Sequence, residues 1–112
     1  MTSVSPPILI ADHDPRARGA LAQALQGAGC RSETAACGKE ALGRLSRERF
    51  GLLIAEARLP DISGIDLLNA LRRREQALPV IVTSTGGSVA EAVAAIRAGA
   101  CDYLLKPVPA EI

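Results

Sequence analysis

The strongest constraint on this chain is an alternation. Five short strand-like runs are separated by stretches with helical spacing. "ILIA" (8–11), "CRSETA" (30–35, the least obvious), "LLIA" (52–55), "VIVTS" (80–84) and "DYLL" (102–105) read as strands. After the first, Asp14 can cap a helix that Pro15 suits in its first turn, with Leu21, Leu25 and Ala28 inward and Gly27 and Gly29 as stops. "KEALGRLSRE" turns Ala41, Leu42 and Leu45 inward, and "SGIDLLNALRRRE" does the same with Ile65, Leu68 and Leu71. Gly86 and Gly87 lead into "SVAEAVAAIRAGA", where Ser88 is the cap and Glu91 the matching capping-box acid. Strands that alternate with helices in this way predict a parallel, doubly wound α/β sheet.

A length of 112 residues allows one core, so residues 1–112 are read as a single domain with a short tail over 1–7. Hydrophobic residues make up 48% but aromatics only 2%, so that core must be Ala, Leu, Ile and Val, as buried parallel strands under Ala-rich helices require. Thirteen basic residues against 12 acidic ones give a charge of +1, which offers no footprint for nucleic acid or an anionic membrane. The one basic run, Arg72 to Arg74, is expected as a solvated helix end. Cys30, Cys37 and Cys101 lack CxxC spacing and fit reduced thiols of a cytoplasmic protein, Cys101 as a small core residue. "MTSVSPP" has no signal-peptide character, and no run reaches the roughly 18 apolar residues of a membrane helix.

In doubly wound sheets, ligands sit at the carboxyl ends of the strands. The residues there are Asp12, His13 and Asp14, then Glu56, then Ser84 and Thr85, then Lys106. Acids to hold a cation, a carboxylate to be modified, and a hydroxyl and ammonium for phosphoryl oxygens form a kit for phosphoryl chemistry.

With these residues in place, "ILIADHDPRAR", "LLIAEARLPDISGIDLL", "LPVIVTSTGGSVAEAVAAIRAGA" and "CDYLLKP" resemble the receiver domain of bacterial two-component response regulators across essentially the whole chain. The fourth-helix segment looks most like receivers of the nitrogen-regulator class. The resemblance implies a flavodoxin-like sheet of order 2-1-3-4-5 and an acidic pair that binds Mg²⁺. It also implies a strand-three Asp phosphorylated by a histidine kinase, and control of an output domain by protein contacts. Asp12 then matches the first acid, His13 takes the place of the second, and Glu56 takes the phosphoacceptor position. Ser84, beside Thr85, matches the switch hydroxyl, Tyr103 the aromatic switch residue, and Lys106 the lysine before a typically cis proline, Pro107.

Two departures fall on the chemistry. Imidazole is a poor ligand for Mg²⁺, so any metal site at Asp12 and Glu56 should be weak or absent, or should take another metal with His13; a pH-sensitive role is the remaining reading. Glu56 carries its carboxylate roughly 1.5 Å farther than Asp would. It can act as a permanent charge on Lys106, as a degenerate position, or as a real acceptor. The expectation is a receiver with impaired phosphorylation and no turnover of its own. The alternative is a haloacid-dehalogenase-like phosphohydrolase using Asp12 and Asp14. A fifth helix is begun at "PAEI" without being completed, which predicts exposed apolar surface and contact with an output domain beyond Ile112 or with a second copy as a dimer.

Overall fold

The computed structural model describes residues 5–108. Its elements are β1 (Ile8–Ala11), α1 (Pro15–Gly27), β2 (Ser32–Ala35), α2 (Gly38–Arg47), β3 (Leu52–Glu56), α3 (Gly64–Arg73), β4 (Val80–Ser84), α4 (Val89–Arg97) and β5 (Asp102–Leu105). The strands form one parallel sheet of order β2-β1-β3-β4-β5, as the resemblance implied. Strands β1, β4 and β5 have the bounds read from the sequence, and the others differ by one or two residues at an end. The proposed start of a fifth helix lies outside the described residues. None of the described helices is long and apolar enough to cross a membrane.

Alternation along the strands divides the apolar residues between the two faces of the sheet. Leu9, Leu53, Ala55, Val80 and Val82 pack with Ala41, Leu45, Leu67, Leu68 and Leu71 of α2 and α3 into one buried cluster. Ile65 packs against this cluster while only partly buried, and Leu67, which the spacing did not single out, is fully buried.

The other face differs. Ile8, Leu52, Ile54, Ile81 and Leu104 floor a groove of about 660 Å³ beside α1. Helix α1 buries none of its residues: Leu21 and Leu25 are half-buried and Ala28 is exposed, because α1 alone does not cover this side. Val89, Val93 and Ile96 of α4 and Leu105 of β5 are exposed as well.

Two sequence expectations are corrected. Arg72 is a structural residue rather than a solvated one: its guanidinium donates to the carbonyls of Gln76, Leu78 and Gly99 at 2.9, 3.0 and 3.0 Å. It thereby ties the end of α3 to the start of β4 and the end of α4, while Arg73 and Arg74 are exposed. Cys101 is exposed rather than in the core, because it lies one residue ahead of edge strand β5, where its thiol donates to the Val80 carbonyl.

Candidate functional site

At the carboxyl ends of β1, β3 and β5 the chain places three charged side chains in one crevice: Asp12 (1% exposed), Glu56 (5%) and Lys106. The crevice lies where the sheet order turns back between β1 and β3, the switch point at which doubly wound folds bind ligands. Lys106 extends from the end of β5, ahead of a cis bond to Pro107. Its ammonium lies 2.6 Å from Asp12 Oδ2 and 2.8 Å from Glu56 Oε2. Glu56 Oε1 accepts from the His13 amide at 3.0 Å and also contacts His13 Nδ1. Every oxygen of the Glu56 carboxylate thus has a partner supplied by the protein.

The charges respond to these contacts. Burial pushes the Glu56 carboxyl up, but the Lys106 ammonium and the His13 amide and imidazole outweigh it and hold the group below its ordinary range. Burial likewise pushes Lys106 down, and hydrogen bonds to Asp12 and Glu56 reverse that and raise it. The hydrogen bond and charge of Glu56 raise His13 above 6.5. A folded pKa raised in this way means that the His13–Glu56 contact stabilises the fold fully below about 6.5 and fades as pH rises through the folded value. His13 is the only histidine, so its NMR titration can be read directly. Its midpoint is expected above 6.5 and, in Glu56→Gln, back near that ordinary value; the same midpoint in both proteins would rule out the coupling.

Other predicted residues are turned elsewhere. The Asp14 carboxylate caps α1 by accepting from the Arg16 amide at 3.0 Å, and its own amide donates to Asp12 Oδ1 at 2.9 Å. As a cap it does not serve as an acid beside Asp12, which the phosphohydrolase reading needs. Thr85 is exposed, and its carbonyl accepts from Arg58 at 3.3 Å. Ser84 is buried facing Glu91 and Tyr103, close enough to depress the Glu91 carboxyl although no contact reaches good hydrogen-bond geometry. Tyr103 donates its hydroxyl to Glu91 Oε1, and Arg58 pairs with Glu91 Oε2 at 3.6 Å.

This second cluster was only half visible in the sequence. The Glu91 amide does donate to Ser88, as a helix cap requires, but the Glu91 carboxylate leaves the cap for Tyr103 and Arg58. Arg58 carried no motif. Gly87 allows the cluster to form, since a Cβ there would lie 1.6 Å from the Tyr103 hydroxyl oxygen.

A five-stranded 2-1-3-4-5 sheet with acids and a lysine gathered at its switch point defines a receiver-like signalling fold. The chain matches the response regulator receiver domain family over residues 8–112 and belongs to that family. It is 36% identical over 104 residues to the C4-dicarboxylate transport transcriptional regulatory protein DctD of Pseudomonas aeruginosa, covering 93% of this chain and 22% of that one. To the DNA-binding transcriptional regulator NtrC of Klebsiella pneumoniae it is 37% identical over 98 residues, covering 88% and 21%. The chain therefore spans about a fifth of the length of these two relatives.

Among solved structures, a receiver protein from Pseudomonas putida superimposes with a TM-score of 0.89 at 34% identity, covering 96% of this chain and 91% of that one. The receiver domain of a Luxo repressor protein from Vibrio parahaemolyticus gives 0.91 at 28% identity, covering 96% and 83%. Receiver domains as a class hold Mg²⁺ on acidic side chains. The group available here, Asp12, His13 and Glu56, offers an imidazole nitrogen in place of one oxygen donor, and that is a poor fit to a cation that demands oxygen.

Proposed function

We propose that this domain is a receiver whose signalling state is set without transfer of a phosphoryl group to Glu56. One observation carries the reading: the Glu56 carboxylate is already engaged on both oxygens, by His13 and by Lys106. In this reading Glu56 occupies the phosphoacceptor position, and Asp12 with His13 forms the remnant of the acidic pocket. Lys106 spends its charge on carboxylates rather than on a phosphoryl group. An attacking carboxylate must be free and aligned, and a displacement near 1 Å costs about 10²-fold in rate. Glu56 is neither free nor placed where an aspartate would be.

The domain is then a cytoplasmic protein-contact module without turnover of its own. A histidine kinase is not its effective input, and Mg²⁺ binds weakly. Its state reaches an output region, or a second copy, through protein contacts made by the apolar groove beside α1 and the exposed side chains of α4. Ser84, Thr85 and Tyr103 belong in this reading to the part of the domain that relays its state to that surface. Only a partner that binds two conformations differently can shift their balance.

Acetyl phosphate with Mg²⁺ tests the proposal, using the natural chain beside a Glu56→Asp, His13→Asp double variant. Intact mass should show the variant gaining a phosphoryl group at least ~100-fold faster. Equal rates would overturn it.

A further inference from the structure

We propose that the crevice takes a first-row transition cation of the zinc, cobalt or nickel type rather than magnesium, with His13, Asp12 and Glu56 as its ligands. The donor atoms of these three residues all lie within 4.8 Å of one another. An ion about 2.0–2.2 Å from each donor holds its ligands roughly 3.3–4.2 Å apart. Asp12 Oδ1, 3.9 Å from His13 Nδ1, is already at that spacing, and the imidazole must back away from Glu56 Oε1, which it touches, to admit the ion.

The oxygens are divided in a way that leaves room for it. Lys106 holds Asp12 Oδ2 and Glu56 Oε2. The other two oxygens face the imidazole: His13 Nδ1 is 3.9 Å from Asp12 Oδ1 and touches Glu56 Oε1. A cation bound to Oδ1, Oε1 and Nδ1 therefore does not compete with the ammonium for the same atoms. Asp12 Oδ1 keeps a second acceptor position besides the one used by the Asp14 amide.

Charge favours occupancy. With the imidazole neutral, as a ligand must be, two buried carboxylates against one ammonium leave −1 in a crevice where Asp12 is 1% and Glu56 5% exposed. The imidazole side of the crevice faces solvent, since the His13 side chain is 55% exposed. Ligand chemistry then decides which ion. Magnesium demands oxygens in a near-ideal octahedron, whereas imidazole suits zinc, copper, iron and nickel. The substitution that spoils the site for one class of cation completes it for the other. Nothing in this inference depends on whether Glu56 accepts phosphate; it stands or falls on a cation measurement, and the phosphoryl reading on a mass measurement.

The test uses the full chain with Cys30, Cys37 and Cys101 changed to serine, because free thiols also take zinc. Calorimetry with Zn²⁺ should give one ion per chain and move the ring resonances of the sole histidine, while millimolar Mg²⁺ leaves them in place. His13→Ala should weaken Zn²⁺ by at least about tenfold, and His13→Asp should in addition gain Mg²⁺ binding. Zn²⁺ binding that leaves the histidine resonances unmoved, or that survives His13→Ala undiminished, would overturn the proposal. So would Mg²⁺ binding to the natural ligand set as tight as to the His13→Asp variant. Should the serine background fail to fold, Co²⁺ absorbance of the natural chain serves instead. Thiolate ligation adds an intense near-ultraviolet band that oxygen and imidazole ligation lack: weak visible bands alone, lost in His13→Ala, support the site, and thiolate bands alone refute it.

Discussion

Replacing Lys106 with methionine is expected to cost about 3–5 kcal/mol of folding stability at neutral pH, because it removes one partner of a buried ionic network and leaves Asp12 Oδ2 and Glu56 Oε2 without their cation. Asp12 and Glu56 are 1% and 5% exposed, and the ammonium is the cation in contact with Oδ2 and Oε2. Methionine keeps most of the side-chain volume, so the loss reports charge rather than a cavity. The pH dependence fixes the sign. Although burial pushes the Glu56 carboxyl up, Lys106 and His13 together depress it. The natural chain therefore gains stability from Glu56 above about 4.5 and loses it as pH falls through the lower, folded value. The variant forfeits the part of that gain that Lys106 supplies and keeps the part that His13 supplies. The gap in urea-unfolding free energy should be widest near neutrality and narrow as Glu56 protonates. A gap that stayed constant from neutral pH down to about 3 would show that Lys106 contributes packing instead.

Most of the fold was legible because strand ends and apolar runs coincide here. Ile8 to Ala11, Val80 to Ser84 and Asp102 to Leu105 are bounded by turn residues and carry strand-forming side chains, so pattern and structure agree at both ends. Strand β2 was harder, since Ser32, Glu33 and Thr34 lie at the sheet edge, where burial no longer selects apolar residues. The inward face assigned to α1 was correct in direction but not in depth. Helical spacing says which side of Leu21 and Leu25 faces the sheet, not how much else covers that side. At the site, the strand-end rule brought Asp12, His13, Glu56 and Lys106 to one place, but it could not divide their contacts. Ser84 ends β4 as expected and yet faces Glu91, because Tyr103 and Glu91 reach it from β5 and α4. Arg58 was invisible: an exposed arginine in a loop gains meaning only once α4 brings Glu91 within 3.6 Å.

Gly64→Ala is the second large effect expected, and it tests how rigidly the fold presents Glu56. The amino end of α3 rests directly on the chain that leaves β3: a Cβ at Gly64 would lie 2.5 Å from the Glu56 carbonyl oxygen, 3.1 Å from its carbon and 3.2 Å from Ala57 Cα. These are main-chain atoms with no rotamer to yield, and the Gly64 amide donates to the Ala57 carbonyl at 2.9 Å. Helix or strand must move, at a cost of about 1–3 kcal/mol. The propensity gain of alanine over glycine, up to about 1 kcal/mol in a helix interior and smaller in the first turn, does not offset it. Gly19, in α1, meets nothing within 4 Å of an added Cβ, so Gly19→Ala should stabilise by about 0.4–1 kcal/mol. Opposite signs in urea unfolding are therefore expected from the same chemical change. The ring resonances of His13, held against Glu56, should shift in Gly64→Ala and stay fixed in Gly19→Ala. If both substitutions stabilised the chain, α3 would be free to slide, and the position of the Glu56 carboxylate would not be set by its packing.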